Sequence, residues 1–115
     1  MTNLATTEYR KTKSQPLTEQ QQQQLLLQLP QWQLVTQSTA VKLQRDFKFA
    51  DYQSALALLN QIAQLAERYQ HHPEMFLTWG KLTVSWWTHQ PVSLQLNDFI
   101  CAAQTEQLYC SRDKT

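Results

Sequence analysis

Two adjacent histidines followed by a proline, His71-His72-Pro73, stand where a long amphipathic segment ends. The chain holds three histidines in 115 residues, and the third, His89, closes an apolar alternating run. Imidazole is the one side chain whose ordinary pKa, about 6.5, lies near neutrality. Spending all three on segment ends, outside any tag-like tract, points to proton transfer. Glu67 lies four residues before His71, one helical turn away, so the two can share a face. Asp98 follows His89 by nine residues and falls early in a final helical stretch. There it can satisfy a helix N-terminus, or it can accept a hydrogen bond from a histidine and orient it. Each feature also has a structural reading: a solvated helix end, a surface carboxylate, a cap. No HExxH spacing is present and no cysteine neighbours a histidine, so no metal site is expected.

Regular elements must position these groups. Thr18 can cap a first helix, with Gln21 answering as in a capping box. Gln20 to Gln24 form its wet face, Leu25, Leu26, Leu27 and Leu29 its apolar side, and Pro30 its end. Trp32 to Val35 read as a strand. A turn at Gln37-Ser38 leads to a second, in which Val41, Leu43, Phe47 and Phe49 share one face at period two. Asp51 is a good N-cap. The stripe Ala55, Leu58, Leu59, Ile62, Ala63, Ala66 and Tyr69 then predicts a helix that stops at the histidine doublet, because the residue before Pro73 is pushed out of the helical region. Met75, Leu77 and Trp79 alternate, and so do Leu82, Val84 and Trp86. Gly80 between them suggests a tight turn or bulge at positive φ. Leu96, Phe99, Ile100 and Ala103 predict a last helix from Ser93 or Leu94 to Leu108. The order is α-β-β-α-β-β-α. Hairpin strands pair antiparallel, and helices with single apolar stripes cover one face of a sheet.

Composition narrows the classes. Hydrophobic residues make up 42%, including four each of Trp, Tyr and Phe, which is a globular proportion. One domain over residues 17–110 is expected, with a flexible segment at 1–16 and a tail at 111–115. Net charge is +1 with scattered Lys and Arg, so neither nucleic acid nor a membrane surface is an expected partner. Apolar runs are too short to span a membrane. Met1 to Gln15 has no apolar core of a secretory signal. Cys101 and Cys110 would lie about 13 Å apart along a helix, too far for a disulfide. They read as free thiols in a reducing compartment, which points to the cytoplasm.

The spacing Glu67-x3-His71-His72-Pro73, then Trp79, His89 and Asp98, resembles the signature of the pterin-4a-carbinolamine dehydratases. Lys42-Leu43-Gln44-Arg45 with Phe47 and Phe49, Asp51-Tyr52, Thr88-His89 and Asp98-Phe99-Ile100 extend the likeness over about residues 17 to 108. The resemblance implies an α+β, two-layer fold: a four-stranded antiparallel sheet with three helices on one face. It implies loss of water from 4a-hydroxytetrahydropterin to give quinonoid dihydropterin. That step recycles the pterin cofactor of aromatic amino acid hydroxylases and links the chain functionally to phenylalanine hydroxylase. His71 and His89 are implied in proton transfer, and His72 in binding and acid–base assistance. Glu67 is implied to orient and tune His71, and Asp98 to do so for His89. Pro73, Trp79 and Thr88 are implied to contact substrate. No metal or bound cofactor is implied, and a homodimer or homotetramer is. Ser93 and the bulky Trp87 depart from the family's usual small residues near His89 and bear on pocket shape. The same fold also serves a dimeric coactivator role or a dehydratase-like role in molybdopterin metabolism. Which histidine is acid and which is base stays open.

Overall fold

Two antiparallel hairpins make the sheet. In a computed structural model that describes residues 4–9 and 15–112, strands β1 (Gln33–Gln37) and β2 (Ala40–Lys48) form the first hairpin, and β3 (Glu74–Thr78) and β4 (Lys81–Trp86) the second. The sheet order is β1-β2-β4-β3. The first turn is tight, with Gln37 opposite Ala40 and Ser38 in the left-handed region at φ 55, as two-residue hairpin turns require. Leu43 pairs with Trp86 and Phe47 with Leu82 across β2 and β4. That register puts both alternating apolar sets on one face, where Leu43, Phe47, Leu82, Val84 and Trp86 are all buried. Arg45 also falls on this face. Its guanidinium bonds Glu106 at 2.7 Å and lies over the Phe47 ring, so its charge is paired and its stem is packed. The opposite face is polar: Gln44 donates to Ser85, and Lys42 pairs with Glu74.

Gly80 is not at positive φ, contrary to the expectation. Its role is close approach. The Phe49 N–H donates to the Gly80 carbonyl at 2.9 Å, and a Cβ at position 80 would lie 3.1 Å from the Phe49 oxygen.

Helix α1 (Glu19–Leu26) starts with the expected capping box between Thr18 and Gln21 and ends before Pro30. Helix α2 (Tyr52–Tyr69) is capped by Asp51, which accepts from the Ser54 N–H. Its buried residues are Ala55, Leu58, Ile62, Leu65 and Ala66. Leu65 takes a place that the expected stripe gave to Leu59, Ala63 and Tyr69, which are half-buried. The helix closes at Gln70, which is left-handed at φ 52 with its N–H on the Ala66 and Glu67 carbonyls. The His71 N–H also returns to Ala66 O. This cap satisfies the last carbonyls and turns the chain before the doublet, so both histidines lie outside the helix.

Two further strands, β5 (Thr88–His89) and β6 (Val92–Ser93), form a small separate hairpin. His89 therefore does not end the fourth strand, which stops at Trp86. Two-residue strands are too short to show an alternation. Helix α3 (Leu96–Arg112) starts later and runs further than its stripe indicated. Helices α2 and α3 pack on the apolar face and on each other, while α1 adds Leu25 and Leu26 to the core's edge. The two-layer α+β class is as expected. In the N-terminal segment a 3-10 helix, Leu4–Thr6, lies against α3, and Leu4 is only 4% exposed. Residues 1–3, 10–14 and 113–115 lie outside the described residues. The expected tail from 111 begins inside α3. No helix among the described residues is long and apolar enough to cross a membrane.

Both cysteines are free, with Cys101 buried and Cys110 exposed. Burial pushes the Cys101 thiol well up, and nearby Asp98 adds to the shift. The thiolate is the reactive form. Ellman's reagent is therefore expected to titrate Cys110 in the native protein and Cys101 only after unfolding. Two fast thiols in the native state would contradict this packing.

Candidate active site

His71 sits at the junction of α2 and β3, with its side chain 14% exposed and its Nε2 2.7 Å from Asp98 Oδ1. Asp98 is fully buried. Its second oxygen accepts from the Thr88 hydroxyl at 2.8 Å and from the Gln95 backbone N–H at 2.9 Å. Gln95 is the residue before α3, so Asp98 closes half of a capping box. The two roles weighed for Asp98, cap and histidine partner, are thus shared between its two oxygens. The Thr88 hydroxyl, the Gln95 N–H and the His71 ring thus converge on one buried carboxylate at the start of α3.

An ionised carboxylate only accepts hydrogen bonds. Paired with an ionised Asp98, His71 donates from Nε2, which leaves Nδ1 outside the pair. The ring is held by packing as well. It stacks on Trp86 at 5.6 Å and 25°, and Trp86 is itself tied by Nε1 to Thr105 Oγ1 at 3.1 Å. Tyr9 lies on the ring's surroundings at 6.3 Å, tilted.

The carboxylate–histidine partners differ from those expected. Asp98 holds His71 and not His89. Glu67 holds His72, with Oε2 2.5 Å from Nε2, and not His71. The left-handed Gln70 explains the change: the chain leaves the helix before His71, so helical spacing from Glu67 no longer applies, and the carboxylate meets the next histidine instead. The Glu67–His72 pair is exposed on both sides, and such pairs contribute little to stability.

His89 lies exposed in β5 with its ring 4.5 Å from Trp87. Lys42 Nζ lies 4.1 Å from the Trp87 ring and 3.1 Å from Glu74. Alternation along β5 separates neighbours: Thr88 turns to Asp98, and His89 stands beside Trp87. Thr88 spends its hydroxyl proton on Asp98, so it fixes the carboxylate and has no proton free for a substrate. Pro73 is half-buried between His72 and β3. Trp79 is 70% exposed at the far end of β3. Five strand residues at about 3.3 Å each put it roughly 17 Å from the doublet, so one chain does not bring it to the histidines. Sequence reasoning missed the stacking partner Trp86, the Gln95 N–H, Tyr9, and Lys42 beside Trp87. Only Lys42 had a visible signal, a lysine inside an alternating strand. Among the described residues no group of three or more His, Cys, Asp and Glu is placed to hold a metal ion.

The fold and the pair together define a two-layer α+β domain with a buried carboxylate holding a histidine at a helix–strand junction. The model of the pterin 4 alpha carbinolamine dehydratase family matches residues 15–108. The chain belongs to that family, as the resemblance implied. It is 47% identical over 92 residues to a Vibrio vulnificus (strain YJ016) protein, covering 80% of this chain and 84% of that one. It is 47% identical over 93 residues to a Marinobacter nauticus protein, covering 81% and 84%. Both relatives carry the name "Putative pterin-4-alpha-carbinolamine dehydratase". A solved transcriptional coactivator/pterin dehydratase from Brucella melitensis superposes with a TM-score of 0.76 at 29% identity, over 83% of this chain and 99% of its own.

Proposed function

We propose that this protein removes water from 4a-hydroxytetrahydropterin to give quinonoid dihydropterin, with His71 as a central proton-transfer group. The observation that carries the reading is the 2.7 Å bond from His71 to a fully buried Asp98. In the reaction the C4a–O bond breaks and its electron pair leaves with the hydroxyl, which is protonated to water. A ring nitrogen loses its proton, and the freed pair forms the new C=N bond. Nδ1 of His71 is suited to take that proton, and the resulting imidazolium is stabilised by Asp98 through Nε2. His72, oriented by Glu67, and His89, tilted against the Trp87 ring, can present an N–H to the leaving hydroxyl. Pro73 walls the substrate beside the doublet. Thr88 acts through Asp98, and Trp79 reaches a substrate only if a second chain supplies it. No cofactor takes part in this scheme.

The reading extends to recycling the pterin of an aromatic amino acid hydroxylase such as phenylalanine hydroxylase, in the cytoplasm. Assembly as a homodimer or homotetramer belongs to it. The edge strands β1 and β3 support assembly, because an uncovered edge is a row of unpaired backbone groups. The test is stopped-flow decay of the 4a-carbinolamine. The protein is expected to speed it by at least about 10²-fold over buffer, the range of acid–base catalysis. Decay at the buffer rate would overturn the reading. It would favour a second one, a dimeric coactivator, which the description of the Brucella melitensis neighbour supports. Faster turnover of larger pterins than of biopterin-type ones would move the role towards molybdopterin metabolism.

A further inference from the structure

Tyr9 precedes the span that matches the family, residues 15–108, yet it stands beside the catalytic pair. Its ring lies flat on Tyr69 at 4.2 Å and 3°, and its hydroxyl lies near the Asn97 side chain. Tyr69 is two residues before His71, at the end of α2. Asn97 is the residue before Asp98, in the first turn of α3. One side chain therefore stacks on the first and stands beside the second of the two elements whose ends must meet for the His71–Asp98 bond to form.

The segment that carries Tyr9 is anchored at its other end. Leu4 is buried in the core. The Gln104 side-chain amide, on α3, donates to the Ala5 carbonyl at 3.5 Å and accepts from the Tyr69 hydroxyl at 2.9 Å. Leu4, Ala5, Gln104, Tyr69, Tyr9 and Asn97 thus close a ring of contacts around the two helix ends. Burial, with Cys101, Asp98 and Tyr69 nearby, pushes the Tyr9 hydroxyl up to about 12. A phenol in that state stays neutral at working pH. It serves as a hydrogen-bonding and packing group and not as an acid or a base.

We propose that Tyr9 is a positioning residue: residues 4–9 form a clasp that locks the end of α2 to the start of α3 and keeps water from the His71–Asp98 hydrogen bond. Trp86 backs the imidazole from within the core, and Tyr9 covers it from the N-terminal side. Excluding water strengthens a charge-assisted bond and holds its geometry. The clasp stands on geometry alone, and only its effect on turnover rests on the dehydratase reading.

The test uses the full chain with Tyr9→Phe, Tyr9→Leu and Tyr9→Ala. The first readout is solvent exchange of the His71 Nε2 proton by ¹H–¹⁵N NMR. Tyr9→Ala removes stack and hydroxyl, and is expected to speed exchange at least about tenfold by opening the pair to local fluctuation. It is also expected to lower kcat about 3–10-fold with KM little changed, as for a loosened catalytic constellation. Tyr9→Phe keeps the stack and is expected to restore exchange to within about threefold of the unmodified chain, since aromatic packing supplies most of the cover. Tyr9→Leu covers the site without stacking and falls between. It carries the comparison if Tyr9→Ala melts without cooperativity. Exchange and kcat unchanged in Tyr9→Ala and Tyr9→Leu would overturn the clasp. A protein inactive before any substitution would instead overturn the dehydratase reading, and the exchange rates would still decide the clasp.

Discussion

Asp98→Asn is expected to lower the dehydration rate by about 10²–10⁴-fold, the share of a barrier that acid–base catalysis supplies. The reason lies in how the donors are arranged. Both Asp98 oxygens accept, one from His71 Nε2 and the other from Thr88 and Gln95. Asparagine has one acceptor oxygen and one amide nitrogen that only donates. If the oxygen keeps Thr88 and the Gln95 N–H, the amide nitrogen faces His71 Nε2. The imidazole must then carry its proton on Nδ1, and the base is lost. If the amide turns round, its nitrogen opposes the Gln95 N–H, a donor that cannot turn into an acceptor, and a buried mismatch of that kind costs about 1–3 kcal/mol. Rate and melting temperature measured together separate the outcomes. A near-silent variant would leave Asp98 as a helix cap, because asparagine caps about as well as aspartate.

His71→Ala is expected to match that loss, at roughly 10²–10⁴-fold, and to exceed the effect of His89→Ala. His71 has a fully buried carboxylate and a stacked indole to hold it, whereas His89 is exposed and touches only Trp87 in this way. His89→Ala is still expected to cost about tenfold or more, at the lower end for one proton-transfer group. His71 lies after the helix cap at the edge of the core, so the domain should keep a cooperative melt. The variant leaves a space bounded by Trp86 and Asp98, and added imidazole is expected to restore part of the rate in a saturable way. Full activity without His71 would remove it from the mechanism.

Most of the frame was legible because burial is periodic. Leu43, Phe47, Leu82, Val84 and Trp86 alternate on one sheet face, and Ala55, Leu58, Ile62 and Ala66 recur at helical spacing, with Asp51 and Thr18 as caps. Motif spacing also singled out the candidate residues His71, His72, His89, Glu67 and Asp98. Their pairing was not legible. It turns on one left-handed residue, Gln70, which carries no glycine or asparagine signal and moves Glu67 from His71 to His72. It turns also on a hairpin of two-residue strands that aims Thr88 at Asp98 and leaves His89 outside. Leu4 and Tyr9 were hidden for a related reason. Two anchors in a polar run make no period, and the segment's partners on α2 and α3 are some sixty to a hundred positions away in sequence.

The proposed mechanism requires Asp98 to fix His71 with its proton on Nε2 and to leave Nδ1 bare. Long-range ¹H–¹⁵N correlation of the neutral imidazole tests it directly, since the two ring nitrogens give distinct shifts when protonated and when bare. We predict a protonated Nε2 and a bare Nδ1 for His71 in the native chain, with the pattern lost in Asp98→Asn. A His71 protonated on Nδ1, or one exchanging freely between tautomers, would contradict the account.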